Sequence, residues 1–315
     1  MHKVFIDGSA GTTGLRIRER LAGRGDVELV SLDEAVRKDP AARKDAMARA
    51  DVVFLCLPDA AAVEAVALCE NPSAAIIDTS TAHRTADGWE YGFPELPGRR
   101  ERIARSKRIA NPGCHASGFI ALVEPLVSEG LVAPDASLAA FSLTGYSGGG
   151  KKMIADYEGG GALPPLYTGG RQYALGQSHK HLPEMRKVCG LERAPVFSPV
   201  VVPHYSGMEV TVALFADAVR GGLETRRECY SSRYGADAGG VVRYAECPQD
   251  AEGGFLSSAG LSGSDAMELS AFGNEDRIIL VSRFDNLGKG ASGAAVQNMN
   301  IVLGLPETEG LSLRF

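Results

Sequence analysis

The stretch that decides the fold is KVFIDGSAGTTGLRIRERL, from Lys3 to Leu21. It begins with a short apolar run, crosses a glycine-rich turn and continues with apolar residues at helical spacing, Leu15, Ile17 and Leu21. A strand that passes through a tight glycine turn into a helix is typical of the first unit of a doubly wound α/β fold. The segment therefore predicts a sheet whose first strand lies just before this turn.

The next hundred residues repeat the alternation of strand and helix. Apolar strands are predicted at 27–32, 51–58, 74–80 and 107–114, and helical segments follow the first two of these four strands. Apolar strands that alternate with helices indicate a parallel sheet covered on both faces. We therefore predict a Rossmann-like, doubly wound parallel sheet over the first ~115 residues.

The sequence changes in character after a predicted helix at 116–129. Longer strands with short or irregular links predict an α+β domain at 116–286 with an antiparallel or mixed sheet. We assign it the catalytic and substrate-binding role, and its long strands offer a sheet-to-sheet interface for oligomerisation. The chain ends in a glycine-opened amphipathic helix, which we expect to return to the first domain. That domain is then discontinuous, 1–115 and 287–315.

Composition excludes several classes of protein. The 315 residues are 44% hydrophobic and carry a net charge of −6, which gives no basic footprint for nucleic acid. No apolar run reaches the roughly 18 residues needed to span a bilayer, and no export signal is evident. The six cysteines lack CxxC spacing, so neither a structural zinc site nor a disulfide framework is expected. These features predict a cytoplasmic protein without metal, membrane or nucleic-acid partners.

The glycine turn predicts a dinucleotide site. Gly8, Gly11 and Gly14 form a G-x-x-G-x-x-G pattern, which lets backbone N–H groups approach a pyrophosphate at a helix N-terminus. The alternative is a tight turn with no ligand.

The end of the second strand bears on the choice of cofactor. NAD sites usually carry an acidic residue there. Here Ser31 is followed by Arg37 and Lys38, which suits a 2′-phosphate, although Asp33 argues the other way. We therefore expect NADP(H). The residues assigned to the cofactor are Gly8, Ala10, Gly11, Thr12, Thr13, Gly14, Ser31, Arg37, Asn286 and Gly288.

A cysteine at a helix start is the candidate nucleophile. In NPGCHASGF, Asn111 to Phe119, Cys114 follows a rigid Asn-Pro-Gly turn that leaves room for a substrate. Unpaired N–H groups and the helix dipole favour a thiolate there and lower its pKa. The alternative is a buried, inert cysteine.

Proton transfer needs a partner for the thiol. His179 and His181 in GQSHKHLPEM supply two imidazoles, and acid/base use of one is favoured. A metal pair is the alternative, but no matching carboxylate or thiolate cluster is evident. His115 adjoins the cysteine and is expected to point elsewhere. Arg84 follows the fourth strand and is an anion-binding candidate in the same crevice, unless it is a solvated surface arginine.

Several motifs together resemble one enzyme family. They are VFIDGSAGTTG, DTSTAHR, YGFPEL, NPGCHASG, SGGGKKM, HKHLPEM and DNLGKGASGAAVQNMNIVLG. In this order they resemble the short form of N-acetyl-γ-glutamyl-phosphate reductase, a relative of the aspartate-semialdehyde dehydrogenases. The longer form usually has an aromatic residue where His115 stands, and SGAGR in place of SGGGKK.

The resemblance implies an activity in arginine biosynthesis. NADPH would reduce N-acetyl-γ-glutamyl phosphate to N-acetylglutamate γ-semialdehyde, with release of phosphate, through a thioester on Cys114. The acid/base residue falls on His179, with His181 as the alternative. Relatives are homodimers or homotetramers. The residues assigned to the acyl phosphate substrate are Arg84, Asn111, Gly148, Lys151 and Glu184.

Other functions remain open from the sequence. One is aspartate-semialdehyde dehydrogenase or another acyl-phosphate reductase, which would use the same chemistry on a different acyl group. Another is a non-catalytic NADP-binding redox sensor that uses Cys114 as an oxidisable thiol.

Overall fold

The computed structural model describes residues 1–235 and 240–315, the side chain of Ala218 excepted. The helices are α1 (Thr12–Leu21), α2 (Pro40–Ala48), α3 (Asp59–Leu68), α4 (Arg99–Arg105), α5 (Cys114–Ser128), α6 (Gly150–Glu158), α7 (Leu182–Val188), α8 (Leu223–Tyr234) and α9 (Gly293–Leu303). The strands are β1 (His2–Asp7), β2 (Val27–Val30), β3 (Val52–Leu55), β4 (Ala75–Asp78), β5 (Glu90–Tyr91), β6 (Arg108–Ala110), β7 (Ala139–Gly145), β8 (Arg171–Gln172), β9 (Val196–Val202), β10 (Met208–Phe215), β11 (Val242–Tyr244), β12 (Met267–Gly273) and β13 (Arg277–Phe284).

The chain divides into two compact units. Unit 1 consists of Met1–Gly113 and Ala291–Leu311, and unit 2 consists of Cys114–Gly290 and Ser312–Phe315. Residues 114–115, 287–290 and 312–315, which the sequence assigns to the first domain, therefore lie in unit 2.

Hydrogen bonds explain why the chain end belongs to unit 2. The Ser312 N–H donates to Asp265 Oδ2 at 2.9 Å, and the Asp265 N–H donates to the Ser312 carbonyl at 2.7 Å. This paired tail could not be foreseen from the apolar pattern of the last helix.

Unit 1 is built on a parallel sheet with the strand order β2-β1-β3-β4-β6-β5. Successive residues of β1 face opposite sides. Val4 packs in a cluster with Ile17 of α1 and Met299 of α9, whereas Phe5 packs in another cluster with Met47 of α2. The sheet is thus covered on both faces, and the predicted Rossmann-like fold is confirmed.

Two details of unit 1 differ from the sequence prediction. The short strand β5 and the helix α4 lie between β4 and β6, where no element was predicted. On α1, Leu15 is 36% exposed while Gly14 is buried. Gly14 takes the inward position because the first helical turn approaches the glycine turn closely, as described below.

Unit 2 is built on a sheet with the strand order β11-β12-β13-β10-β7-β9-β8. Most neighbouring strands are antiparallel, but β7 and β9, and also β11 and β12, pair in parallel, so the sheet is mixed. The helix α5 packs on one face. At Gly118, an added Cβ would lie 2.7 Å from Val210 and 2.8 Å from Phe284, so glycine lets the helix approach the sheet closely.

In the described part of the chain, no helix is both long enough and apolar enough to cross a membrane.

Candidate active site

The glycine turn joins β1 to α1 in unit 1. Gly8 has φ +87°, and a Cβ on Gly14 would lie 2.6 Å from the Gly8 carbonyl oxygen. The fold itself therefore requires glycine at these two positions. A Cβ on Gly11, by contrast, would come no closer than 3.5 Å to its protein neighbours. Gly11 leaves the backbone at the start of α1 open to approach, as a pyrophosphate site needs.

A cavity of about 380 Å³ adjoins the turn and is lined by Gly8, Ser31, Arg37 and Lys38. Arg37 Nε pairs with Glu34 Oε1 at 2.6 Å, and both side chains are well exposed. Asp33, the residue that favoured NAD, is not among the residues that line the cavity. Ala10 is exposed beside the turn, and Thr12 and Thr13, the first residues of α1, are half-buried.

A buried ion pair also lines this cavity. Arg43 on α2 donates to Asp7 Oδ2 through Nε at 3.0 Å and Nη2 at 2.7 Å. Burial raises the pKa of Asp7, and Arg43 works against that rise. Arg43 and Arg18 are cavity residues that the sequence analysis missed. Arg18 lies on the helix after the glycine turn, a position that could have pointed to it.

Arg84 lies after β4 and is held by its own unit. Its Nε donates to the Asn111 carbonyl at 3.0 Å, and its Nη2 donates to the Thr79 carbonyl at 3.1 Å. Arg84 is half-buried rather than a solvated surface arginine. Those carbonyls stand where β4 and β6 end, so the guanidinium is held at the carboxyl edge of the parallel sheet.

The Asn111 side chain is buried and bonded within unit 1. It is 1% exposed; its Nδ2 donates to the Ala291 carbonyl at 3.0 Å and its Oδ1 accepts from Asn298 at 3.2 Å. Both ends of the amide therefore serve to hold α9 against the sheet. Asn111 supports Arg84 through its carbonyl and is not placed to bind a ligand with its side chain.

Cys114 begins α5, two residues earlier than the predicted helix start. It is half-buried, so it is neither an inert core cysteine nor a surface thiol. Gly290 lies directly against it: a Cβ on Gly290 would come within 3.0 Å of the Cys114 Cβ. The helix position puts the thiol beside N–H groups that have no partner within the helix.

His115 lies in a cluster of three histidine rings. The centroids of the His179 and His181 rings each lie 5.5 Å from the centroid of the His115 ring. His115 is 2% exposed, and its Nδ1 and Nε2 lie 2.8 Å from Ser142 Oγ and 2.7 Å from Tyr173 Oη. One residue advances a helix by about 100°, which turns His115 inward while Cys114 stays at the edge.

The two other histidines of the cluster have different surroundings. The His181 backbone N–H donates to Nδ1 of the half-buried His179 at 3.2 Å. His181 is buried, and its Nε2 lies 4.0 Å from Oε1 of Glu184, which is 1% exposed. Glu184 thus lies beside His181, and its contact with substrate stays a prediction.

Four other predicted residues lie in unit 2. Asn286 donates to Ser147 Oγ and accepts from the Gly207 N–H, both at 3.0 Å, so its buried amide holds a turn instead of presenting itself to a cofactor. The Gly288 N–H donates to the Asp285 carboxylate at 3.0 Å. Gly148 is exposed beside Asn286, and Lys151 is exposed on α6.

Known proteins match the chain over nearly its whole length. Family models match at residues 29–106, for the semialdehyde dehydrogenase NAD binding domain, and at 114–286, for the semialdehyde dehydrogenase dimerisation domain. The N-acetyl-gamma-glutamyl-phosphate reductase of Brucella anthropi is 45% identical over 308 residues, which cover 96% of this chain and 98% of the relative. N-acetyl-gamma-glutamyl-phosphate reductase 2 of Nostoc sp. is 42% identical over 320 residues, 98% and 99% of the two chains. The chain belongs to the N-acetyl-γ-glutamyl-phosphate reductase family.

Solved structures agree on the fold. Aspartate semialdehyde dehydrogenase from Francisella tularensis superposes with a TM-score of 0.72 at 14% identity, over 96% of this chain and 100% of that one. The enzyme with NADP from Candida albicans gives 0.65 at 15% identity, over 96% and 98%. At such identities the likeness concerns the fold alone.

Family membership confirms several predictions together. The chain is an oxidoreductase of the N-acetyl-γ-glutamyl-phosphate reductase family, with a nicotinamide-dinucleotide-binding domain and a domain of the dimerisation type.

Among the residues that the structure describes, no group of three or more His, Cys, Asp or Glu side chains is arranged to hold a metal ion.

The sequence analysis missed two polar residues of this family member's histidine cluster. Ser142 lies on β7 and Tyr173 follows β8, so only the folded sheet brings them to His115. No motif marks them. The one sequence feature that could have pointed to this cluster is His115 itself, which stands where the longer family form usually has an aromatic residue.

Proposed function

We propose that the protein reduces N-acetyl-γ-glutamyl phosphate to N-acetylglutamate γ-semialdehyde with NADPH and releases phosphate, a step of arginine biosynthesis. The observation that carries this proposal is Cys114 at the first position of α5, adjoining a histidine cluster in a chain 45% identical to such a reductase.

Cys114 is the nucleophile of the proposed reaction. Its thiolate attacks the carbonyl carbon of the acyl phosphate, and backbone N–H groups at the start of α5 stabilise the negative oxygen that forms. The bond between the carbonyl carbon and the phosphate oxygen breaks, phosphate leaves with the electron pair, and a thioester on Cys114 remains. Because sulfur conjugates weakly with the carbonyl, the thioester carbon stays electrophilic.

When bound, NADPH would supply the hydride that reduces this thioester. The residues that would hold it are the Gly8–Gly14 turn with Ser31, Arg37 and Lys38, since the turn is open at Gly11 and these side chains line the adjoining cavity together with Glu34, the ion-pair partner of Arg37. The carbon–sulfur bond of the reduced adduct then breaks, which releases the aldehyde and restores the Cys114 thiolate.

We assign proton transfer to His181 rather than His179. A ring nitrogen that accepts a hydrogen bond from a backbone N–H carries no proton, so His179 Nδ1 is unprotonated. Protonation of Nδ1 would break its hydrogen bond with the His181 N–H. His181 instead has a carboxylate near Nε2, which stabilises its imidazolium. His181 thus takes the Cys114 proton and returns it to the leaving phosphate, which needs one.

Arg84 is proposed to bind the substrate phosphate, because its guanidinium is anchored by two backbone carbonyls and matches phosphate geometry. Gly148 and Lys151 remain proposed contacts for the rest of the substrate. Asn111 and Glu184 take supporting roles, the first for Arg84 and the second for His181.

The reverse reaction tests the proposal directly. With N-acetylglutamate γ-semialdehyde, NADP and phosphate, we expect NADPH to form at a rate that falls to zero without phosphate. Aspartate semialdehyde should react far more slowly. Equal or faster reaction with aspartate semialdehyde would assign the chain another acyl group, and no turnover with either aldehyde would favour a redox sensor.

Arg37→Met is expected to weaken NADPH binding roughly 10-fold while NADH binding stays within about two-fold, since a charge-assisted bond to the 2′-phosphate is lost. Both dissociation constants are measured by fluorescence titration. Arg49→Met is the matched control: Arg49 pairs with Asp45 on α2 and does not line the cavity. An equal loss for both cofactors would contradict the assignment of NADP through Arg37.

We further propose a homodimer or a homotetramer that forms through the unit 2 sheet. The face opposite α5 carries large exposed apolar side chains: Phe141, Val196, Phe215 and Ile279. Across neighbouring strands, Ala139 pairs with Val196 and Ala213 pairs with Ile279. Phe141 and Phe215 each lie two residues further along the same strand as one of these alanines, so the four apolar side chains share one face of the sheet. Exposed apolar patches of this kind mark interfaces. A reducing cytoplasm, which keeps Cys114 as a thiol, is the proposed compartment.

Phe141→Glu is expected to raise the dissociation constant of the oligomer at least roughly 100-fold, because each interface would bury an unpaired charge. Light scattering across a dilution series measures the mass. Val63→Glu is the control: Val63 is 52% exposed on α3 of unit 1. An unchanged mass in Phe141→Glu would place the interface elsewhere.

A further inference from the structure

The loop that carries Arg84 is closed on itself at the end of β4. It runs from Asp78, the last residue of that strand, to Arg84. Two side chains tie its far end back to its beginning: Arg84 Nη2 donates to the Thr79 carbonyl at 3.1 Å, and His83 Nδ1 lies 2.7 Å from Asp78 Oδ2. Two adjacent residues at the far end are thus held by two adjacent residues at the start of the loop.

The Asp78 carboxylate is fully buried and accepts hydrogen bonds on both oxygens. The Ser80 N–H donates to Oδ1 at 2.9 Å, and the Ser80 hydroxyl donates to Oδ2 at 2.7 Å. A buried carboxylate is costly unless it is paired and hydrogen-bonded, and an ionised carboxylate can only accept. His83 Nδ1 therefore carries a proton and donates it to Asp78.

The His83 ring is fixed by a second contact. Its centroid lies 4.1 Å from the centroid of the Trp89 ring, and the two planes are 15° from parallel. The stack sets the plane of the imidazole, and the hydrogen bond sets its rotation within that plane. A ring held in both ways limits the movement of its own backbone, and Arg84 is the next residue.

The anchoring of Arg84 depends on where its backbone lies. Its guanidinium reaches two backbone carbonyls, those of Asn111 and Thr79, at 3.0 and 3.1 Å. A free arginine side chain has many rotamers, so an arginine that is already oriented loses less free energy when it binds an anion. A shift of the loop at residue 84 would loosen both anchors and remove this advantage.

We propose that His83 is a positioning residue for phosphate binding: its hydrogen bond to Asp78 holds Arg84 in the orientation in which the guanidinium meets the phosphate of the substrate. The inference rests on the proposed function, in which Arg84 binds that phosphate. In this role His83 acts through Arg84 and not as an acid or base.

Two substitutions at His83 separate the hydrogen bond from the ring. Phenylalanine keeps a flat ring for Trp89 but has no donor for Asp78, whereas asparagine can place an amide N–H where Nδ1 stands. In the reverse assay, where phosphate is a substrate, we expect His83→Phe to raise the KM for phosphate roughly 10-fold, with the KM values for aldehyde and NADP within about two-fold. His83→Asn should keep all three within about two-fold, as should the control His2→Phe at the other histidine of unit 1.

A double variant tests whether His83 acts through Arg84. Arg84→Met alone should raise the KM for phosphate at least roughly 10-fold, since a charge-assisted contact is lost. Adding His83→Phe to Arg84→Met should raise it no further. Effects that multiply in the double variant, or equal rises for His83→Phe and His83→Asn, would overturn the proposal.

Binding of inorganic phosphate, measured by phosphorus NMR without aldehyde or cofactor, gives a readout that needs no turnover. The dissociation constant should rise with His83→Phe and Arg84→Met and stay near the wild-type value with His83→Asn; an unchanged constant in Arg84→Met would overturn the proposal. Should His83→Phe fail to fold, His83→Leu replaces it with the same expected rise, and an unchanged constant counts against the role equally. Failure of the reverse assay with either aldehyde would refute the proposed reduction and leave this phosphate titration standing, so the two failures are distinguishable.

Discussion

Cys114→Ser is expected to lower turnover at least roughly 1,000-fold, below detection in the reverse assay, while NADPH affinity stays within about two-fold. A serine hydroxyl is not ionised near neutral pH, so α5 can stabilise an anion there only if the residue is a thiol. The ester that serine would form is also a poorer hydride acceptor than a thioester. The cofactor residues of unit 1 are not altered by the change.

The design of this experiment uses the other cysteines. No disulfide joins the six cysteines, all of which lie in the described part of the chain, so single replacements change no cross-link. Cys247 is exposed and offers the matched control, Cys247→Ser, which should keep full activity. Serine is favourable at a helix start, so Cys114→Ser should melt near the wild-type temperature. Turnover of Cys114→Ser within about 10-fold of the wild type would exclude the thioester route.

The sequence was enough to predict those parts of the site that consist of a few consecutive residues. The glycine turn and the cysteine at the start of α5 each depend on a few consecutive residues with special backbone needs, such as Gly8 at φ +87°. Strand direction was harder to predict. An apolar strand shows the same residue pattern whether it pairs parallel or antiparallel to its neighbour. The parallel pairing of β7 with β9 therefore could not be predicted from the sequence.

The roles of the polar residues within the motifs were the hardest feature of the site to predict. Asn111 and Asn286 lie in conspicuous stretches and were assigned to ligands, yet both amides are buried and bonded to backbone or side-chain groups of the protein. An asparagine that holds a turn and one that holds a ligand use the same donors and acceptors. Only burial in the folded chain separates the two roles.

The histidine cluster shows the same limit for catalytic partners. The resemblance to the reductase family favoured His179 over His181, and the motif HKHLPE itself does not distinguish the two residues. The folded chain distinguishes them by what each ring nitrogen faces: a backbone N–H for His179 and a carboxylate for His181. This difference in surroundings, rather than position in the motif, is the basis for assigning proton transfer to His181.

His181→Asn is therefore expected to lower turnover by roughly 10²–10⁴-fold, the usual cost of losing a general acid/base. His179→Asn should cost less than about 10-fold, because the asparagine Oδ1 can accept the His181 N–H in place of Nδ1. Both variants are compared with wild type in the reverse assay at saturating aldehyde, so that kcat is measured apart from binding. Glu184→Gln should fall between them, since it keeps the shape beside His181 but removes the charge that stabilises the imidazolium. A larger loss in His179→Asn than in His181→Asn would contradict this assignment and restore the preference drawn from the sequence.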